Sequence, residues 1–302
     1  MKPLLKIAAS LGIFLGGTPL ALASADCSGL FGYTGSIVTC TVATAGNYSI
    51  TALDAQGGVS SSGVGGLGAE VAADIALTAG ETLDLLVGGM GGSDTSGRAG
   101  GGGGSFVVQV GGSDSSGYTP LVIAGGGGGR AAFGSGAQAS TAPSGVGSGG
   151  VGGTGGDGGS GSDAGGGGGF YTAGTAGSEG GPGASFLLGG AGGTGGDGSG
   201  GFGGGAAGGT ACGGGAGGGY SGGGGGGCSQ PGGGGGSYVA GTLTNLVGAN
   251  NSGNGQIYIA LSNTIVLPNP GQTSAPEPAS LAVFATGLTA LSAKSRRKRI
   301  RN

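Results

Sequence analysis

The sequence predicts an all-β protein, a sandwich or jelly roll of short strands, with a bundle of glycine-rich helices inserted into it. Three observations lead to this prediction. About eight short segments are strand candidates, and three of them alternate apolar and polar residues with the period of two that a half-buried strand has. Glycine supplies 92 of the 302 residues. Two stretches repeat every three residues, and they read GGVGGTGGDGG (Gly149–Gly159) and GGAGGTGGDG (Gly189–Gly198).

Three of the predicted strands place their apolar residues on one face. In Gly68–Thr78, every second residue from Val71 to Leu77 is apolar, and Ile257, Ile259 and Leu261 repeat the pattern late in the chain. The last two strands follow a glycine-dominated region of about 125–236, so this region is expected to leave the sheet and return to it. The predicted strands are Ile37–Val42, Tyr48–Leu53, Gly68–Thr78, Glu81–Val87, Phe106–Val110, Leu121–Ala124, Ser237–Ala240 and Gln256–Leu261.

A period of three is the geometry of a helix of the polyproline II type. In a G-G-X chain of this form, X lies along one edge, and the two glycine edges offer bare N–H and C=O groups to neighbouring helices. Such helices can hydrogen-bond to one another in the polyglycine II arrangement. Each bond contributes about 0.5–1.5 kcal/mol net against an ordering cost of about 1–2 kcal/mol per residue. A flanking sheet and a disulfide are therefore expected to help hold the bundle.

A flexible linker is the alternative interpretation of the glycine region. Runs such as Gly125–Gly129 and Gly232–Gly236 have the composition of linkers. The low charge and the many Ala, Val and Leu residues favour a folded bundle instead. Collagen is excluded, because ten prolines are too few for a triple helix.

The N-terminus has the features of a secretory signal peptide over residues 1–25. Lys2 and Lys6 precede the apolar run Ile7–Gly17, and Ala23-Ser24-Ala25 supplies small residues for cleavage by signal peptidase. A membrane-buried N-terminal helix is the alternative. The body of the protein is then expected to be exported and to span about 26–263.

The C-terminus has three consecutive parts after a linker of residues 264–275. Pro276-Glu277-Pro278 is followed by a predicted apolar helix of residues 279–293, which is short against the ~20 residues that cross a bilayer, and then by a basic cluster expected to stay on the cytoplasmic side. The bases are Lys294, Arg296, Arg297, Lys298, Arg299 and Arg301.

This tail, 276–302, resembles a PEP-CTERM sorting signal, which has the same three parts in the same order. The resemblance implies a Gram-negative bacterium that makes exopolysaccharide, and processing of the tail by an exosortase. The membrane would then be a transient partner through the C-terminal helix. The protein would pass from the inner membrane to the outer surface or extracellular matrix. A plain C-terminal membrane anchor is the alternative.

Charge excludes a nucleic-acid binder. Between Asp26 and Ala275 the chain has twelve acidic residues and only two basic ones, Arg98 and Arg130, which leaves a net charge near −10. A nucleic-acid-binding surface needs basic groups to displace the counterions of phosphates.

Four cysteines fit an exported protein with disulfides. Three pairings are possible. Cys27–Cys40 and Cys212–Cys228 are favoured because short loops close most easily. Metal binding is the rival interpretation, but the chain has no His and no C-x-x-C spacing.

The exported body, about residues 31–261, resembles the glycine-rich domain of anaplastic lymphoma kinase-type receptors and of related bacterial and phage proteins. The resemblance implies a tumour necrosis factor-like β-sandwich with an inserted polyglycine II bundle. It departs at Leu53-Asp54, where a Trp or another large aromatic residue is expected. No kinase follows, so receptor signalling and ligand-binding residues are not carried over. The matching stretches are Tyr33–Gly58, Leu77–Gly92, Gly100–Val107, Pro120–Gly129 and Gly232–Val239.

Two copies of G-G-T-G-G-D-G match the first part of a calcium-binding nonapeptide, with Asp157 and Asp197 at the ligand position. The large apolar residue of that motif is replaced by Gly159 and Ser199, and tandem repeats are missing. Solvated acids are therefore the favoured interpretation, and no metal or cofactor is expected. Serine without any His base also gives no catalytic arrangement, so the protein is expected not to be an enzyme.

Aromatic residues scattered through the glycine region have two interpretations. They either pack between the bundle and the sheet, or lie on loops at the bundle tips that contact glycan or protein. The best loop candidates are the segments Arg130–Val146 and Phe170–Leu188, which interrupt the glycine pattern. The candidate binding residues are Phe133, Gln138, Phe170, Tyr171 and Phe186.

Together these features favour a structural protein of the bacterial surface or biofilm matrix, associated with exopolysaccharide. Its expected partners are signal peptidase and an exosortase during export, and exopolysaccharide or surface glycan afterwards. An adhesin with binding loops at the bundle tips is the main alternative. An ice-binding protein is a lesser one, because its ice-binding face would need regular threonines and only Thr154 and Thr194 recur.

Overall fold

A computed structural model describes residues 25–60, 63–112 and 115–262. The predicted signal peptide, linker, Pro276-Glu277-Pro278 motif and C-terminal helix of 279–293 all lie outside the described residues, apart from Ala25. Within the described part of the chain, no helix combines the length and the apolar composition that a membrane span requires.

Two β-sheets form the strand-rich part of the protein, and all but one of their pairings are antiparallel. The six-stranded sheet has the order β1-β3-β6-β7-β8-β9, and the five-stranded sheet has the order β10-β5-β4-β11-β2. The parallel pairing joins the two-residue strand β1 to β3. In chain order the strands are β1 (Ala25–Asp26), β2 (Gly29–Gly32), β3 (Val38–Thr41), β4 (Gly46–Leu53), β5 (Gly68–Leu77), β6 (Thr82–Leu86), β7 (Ser105–Val110), β8 (Tyr118–Ala124), β9 (Tyr238–Val239), β10 (Thr242–Asn251) and β11 (Gln256–Leu261).

All eight predicted strands are present, and the glycine region returns to the sheets as expected. β9 pairs with β8 after an excursion of more than one hundred residues, and β11 lies between β4 and β2. The glycine region thus joins two neighbouring strands of one sheet. Apart from the strands, the only regular element in the described ranges is a 3₁₀ helix, Phe186–Leu188.

The long strand β10 was not predicted from the sequence. It pairs with β5 at the edge of the five-stranded sheet, and its register shifts between Leu243 and Asn245 and again between Val247 and Asn251. These irregularities break the period-two pattern on which strand prediction depends. Its apolar residues Leu243 and Val247 are exposed, so they do not show the one-sided burial of the other strands.

The hydrophobic core lies between the two sheets. Val71, Ala73, Ile75 and Leu77 of β5 are buried, as predicted, and so are Ile257 and Ile259 of β11. Leu261 was predicted to share their face, but it is 41% exposed. It is the last residue of β11, and its side chain packs over Gly46 at the start of β4 rather than in the core.

Candidate functional site

The glycine region is held together by a threefold pattern of backbone hydrogen bonds. Along Gly222–Gly226, successive N–H groups point in turn to three different neighbouring segments, and every third group returns to the same neighbour. The pairs are Gly222 to Asp157, Gly223 to Gly217, Gly224 to Val146, Gly225 to Ser160 and Gly226 to Gly214, all at 2.9–3.0 Å.

The same pattern recurs in the segment that leads into β7. There too, acceptors alternate among three neighbours and advance by three residues on each of them. The pairs are Ala99 to Arg130, Gly100 to Gly92, Gly101 to Ala206, Gly102 to Gly127, Gly103 to Gly89 and Gly104 to Gly203. A chain with three residues per turn presents its N–H groups in three directions about 120° apart, which accounts for this advance.

Close approach of backbones explains why these segments consist of glycine. A Cβ atom added at Gly167 would lie 2.0 Å from the carbonyl oxygen of Gly217. A Cβ atom at Gly217 would in turn lie 2.2 Å from the carbonyl oxygen of Gly126. Side chains at such positions would separate the backbones and break the hydrogen bonds between them.

The two period-three stretches each contain a chain reversal that the repeat does not reveal. Gly155 and Gly156 have φ values of +64° and +94°, and the N–H of Asp157 donates to the carbonyl oxygen of Thr154 at 3.1 Å. Positive φ at both central residues defines a turn that favours a Gly-Gly pair. Gly195, in the second T-G-G-D, also has a positive φ of +91°. The period of three therefore does not mark where the chain turns, because glycine continues the repeat and also adopts the positive φ of the reversal.

On either side of the first turn, the X residues do face solvent. Val151, Thr154 and Asp157 are exposed, whereas Gly150 and Gly153, each directly before one of the first two, are buried and donate to Gly225 and Gly222. The carboxylate of Asp157 accepts a hydrogen bond from Thr172 at 3.1 Å.

The acidic residues of the calcium-like motif have protein partners. Asp197 forms an ion pair with Arg98 at 2.9 Å, and Asp157 is bonded to Thr172. In the first copy, T-G-G-D forms the turn between Thr154 and Asp157. The interpretation of these acids as surface groups is therefore the one that the geometry favours.

The candidate binding residues fall into two groups. Phe170 and Phe186 are buried and stack on each other with ring centroids 5.3 Å apart, and Phe186 also contacts Phe106 of β7. The expectation that Phe170 and Phe186 lie on exposed binding loops is thus corrected. They fill the boundary between the six-stranded sheet and the glycine region, as the alternative packing interpretation proposed.

The other three candidates are accessible. Tyr171 is 37% exposed and packs edge-on against Phe170. Phe133 is 87% exposed at the tip of a small hairpin closed by the Ala131–Gly134 bridge. The side-chain oxygen of Gln138 accepts a hydrogen bond from the N–H of Leu67 at 2.6 Å, which fastens its loop to the start of β5.

A stack of tyrosines continues the aromatic cluster towards the surface. Tyr220 and Tyr238 are stacked with centroids 4.5 Å apart. Burial raises the pKa of Tyr220, and the nearby Tyr171, Tyr238 and Asp157 raise it further. The phenol of Tyr220 is therefore neutral at physiological pH.

The structure contains both cysteine pairs that the short-loop argument favoured. Cys27–Cys40 lies in the core between the sheets, with its Cα atoms 5.1 Å apart. Cys212–Cys228 links two loops of the glycine region, with its Cα atoms 4.8 Å apart. The sheets and the glycine region thus contain one disulfide each.

Asp54 is a buried acid. From the sequence it was singled out only because the resemblance to the receptor domain departs at Leu53-Asp54, and its burial was not predicted. It follows β4 and is fully buried, and its Oδ1 accepts hydrogen bonds from Ala55 N–H (2.7 Å) and Ser105 Oγ (3.0 Å). Its Oδ2 is buried without a partner among the described residues. Burial raises the pKa of this carboxyl well above its usual value. Burial of Asp54 therefore favours its neutral form more than exposure to solvent would.

Comparisons with known proteins found no match to this chain. The chain matches no protein-family model, and no curated protein gives a significant sequence match.

Proposed function

We propose that the protein is an exported structural component of the bacterial cell surface or biofilm matrix, processed by an exosortase and associated with exopolysaccharide. The observation that carries the structural role is the threefold hydrogen-bonding pattern of the glycine region. A body built from backbone bonds in three directions is rigid in cross-section, and it presents short side chains to solvent.

At the level of fold, we propose that the glycine region is a polyglycine II bundle and that the two sheets form a tumour necrosis factor-like jelly roll. The advance of acceptors by three residues on each of three neighbours supports the first assignment. The insertion of the bundle between β8 and β9, together with the return of β11 between β4 and β2, supports the second. The resemblance to the glycine-rich receptor domain motivates both.

The export route rests on the sequence of the two termini, and a processing experiment tests it. Replacement of Pro276-Glu277-Pro278 by alanines in the full-length chain should leave export intact and trap the unprocessed protein at the inner membrane. The matched control replaces Pro268 and Pro270, which precede the motif, by alanines and should be processed normally. Mass spectrometry of extracellular material should find the wild-type body without Lys294–Asn302. Intact C-terminal peptides in that material would contradict exosortase processing.

An adhesin is the second candidate function, and exposed Phe133 favours it. An aromatic side chain that is 87% exposed at a hairpin tip is available to a glycan or protein partner. A glycan array probed with the full-length chain and with Phe133→Ala should show binding that the substitution removes. Leu188→Ala, at a second exposed apolar site, is the control. Equal glycan binding by the wild-type chain and Phe133→Ala would exclude Phe133 as the contact residue.

A further inference from the structure

Three side chains able to bind a metal ion meet in the glycine region. The Sγ atoms of Cys212 and Cys228 and a carboxylate oxygen of Asp163 all lie within 4.8 Å of one another. Asp163 Oδ2 is 3.6 Å from Cys212 Sγ. In the oxidised protein the two sulfur atoms are bonded to each other, so they are not metal ligands.

The segments that carry the two cysteines are held in place by bonds other than the disulfide. The carboxylate of Glu179 accepts a hydrogen bond from the N–H of Cys212 at 3.3 Å. Two residues beyond Cys228, the carbonyl oxygen of Gln230 accepts from the N–H of Gly214 at 3.0 Å. These contacts do not depend on the disulfide, so cleavage of the S–S bond leaves the two sulfur atoms close together.

Asp163 is oriented as a ligand by a second hydrogen bond. Ser178 Oγ donates to Asp163 Oδ1 at 3.2 Å, which directs Oδ2 towards the sulfur atoms. Polar partners of this kind fix the direction of ligating carboxylates in metal sites. Cys228 is exposed and Cys212 is half-buried, so both a reductant and an ion can reach the cluster.

We propose that reduction of Cys212–Cys228 converts this cluster into a binding site for one thiophilic divalent cation such as Zn²⁺. A dithiol reductant supplies two electrons and two protons; the S–S bond breaks, two thiols form, and the reductant becomes a cyclic disulfide. Binding of the cation then releases the two thiol protons. The ligands are the two thiolates and Asp163, with a water molecule in the fourth position.

The geometry permits this conversion. Tetrahedral zinc with Zn–S bonds of about 2.3 Å places two sulfur ligands about 3.8 Å apart. Cys212 and Cys228 have Cα atoms 4.8 Å apart, so rotation of their side chains can reach this separation. The Cys27–Cys40 disulfide offers a contrast within the same chain, because both residues are fully buried among the apolar side chains of the core.

The test uses the full-length chain under anaerobic conditions. Mild treatment with dithiothreitol should expose two thiols, and peptide mapping should place them at Cys212 and Cys228 while Cys27–Cys40 stays oxidised. Titration with Co²⁺ should then give one bound ion per chain, a thiolate-to-cobalt charge-transfer band and two released protons. Zn²⁺ should displace the cobalt, and the oxidised chain should show no such band.

Variants identify the ligands. Asp163→Asn should weaken cation binding by more than Ser178→Ala, which removes only the orienting hydrogen bond and should cost about 10-fold. Asp157→Asn is the matched control, since Asp157 is bonded to Thr172 in the way that Asp163 is bonded to Ser178. It should leave the affinity unchanged.

Two results would overturn the proposal. One is a reduced chain that binds no cobalt at the two thiols. The other is an Asp163→Asn variant that binds as tightly as the wild type. Alkylation of Cys212 and Cys228 in the wild-type chain must also abolish binding, and this measurement does not depend on whether any variant folds.

Discussion

Alanine at Gly167 should destabilise the protein strongly, although a change from glycine to alanine usually helps a compatible site. The new Cβ would lie 2.0 Å from the carbonyl oxygen of Gly217. Gly167 makes two backbone hydrogen bonds. Its N–H donates to the carbonyl oxygen of Gly223 at 3.0 Å, and its carbonyl oxygen accepts from the N–H of Gly159 at 2.8 Å.

The expected cost follows from these contacts. Overpacking of a close-packed site costs about 1–3 kcal/mol, and a weakened buried hydrogen bond costs about 1 kcal/mol or more. We therefore expect Gly167→Ala to lower the free energy of unfolding by roughly 3 kcal/mol or more. At about 2–4 °C for each kcal/mol in a chain of this size, Tm should fall by roughly 6–12 °C.

Gly147→Ala is the matched control in the same region. The nearest heavy atom to its added Cβ would be 3.4 Å away, which is ordinary contact. Alanine there should raise the free energy of unfolding by about 0.4–1 kcal/mol, because it restricts the unfolded chain. Thermal unfolding followed by tyrosine fluorescence measures both variants. Equal effects at Gly167 and Gly147 would refute the close-packed bundle.

Two further predictions concern buried side chains. Asp54→Asn should remove a pH dependence of stability. Because the pKa of the folded carboxyl is raised, the contribution of Asp54 to the free energy of unfolding is fully present below the ordinary pKa of 3.8. This contribution falls by up to about 1.4 kcal/mol per pH unit as pH rises from there towards the folded pKa. Urea titrations at several pH values test this, and parallel profiles for the two proteins would contradict it. Phe170→Ala should cost about 3–5 kcal/mol, whereas Tyr171→Ala should cost less because its side chain is 37% exposed. Denaturant midpoints compare the two, and equal losses would exclude the buried position of Phe170.

The strands were predictable where one face is buried, and less so where irregular backbone breaks the alternation. β5 shows the first case, because its apolar residues alternate without interruption and all lie in the core. β10 shows the second, since its register shifts twice and its apolar residues are exposed. A pattern of period two cannot indicate a strand whose bulges alter the period.

The period of the glycine region could be predicted from the sequence, but the course of its chain and the pairing of its segments could not. Glycine carries no side chain that distinguishes one neighbour from another, so the sequence does not show which segments pair. The turn of the first T-G-G-D is hidden for the same reason, because Gly155 and Gly156 continue the repeat while their φ values reverse the chain. Asp54 had no signal as a buried group, since an acid that follows a strand is ordinarily exposed.

Hydrogen exchange of the backbone amides tests the central claim most directly, because the glycine region is held by backbone bonds. In the native full-length chain, the amides of Gly222–Gly226 donate to three different neighbours at 2.9–3.0 Å and are buried. They should exchange slowly, with opening free energies approaching that of global unfolding and similar to those of the central strand β4. Uniformly fast exchange across Gly222–Gly226, alongside slow exchange in β4, would show that the glycine region is a flexible linker and would contradict the structural role proposed for it.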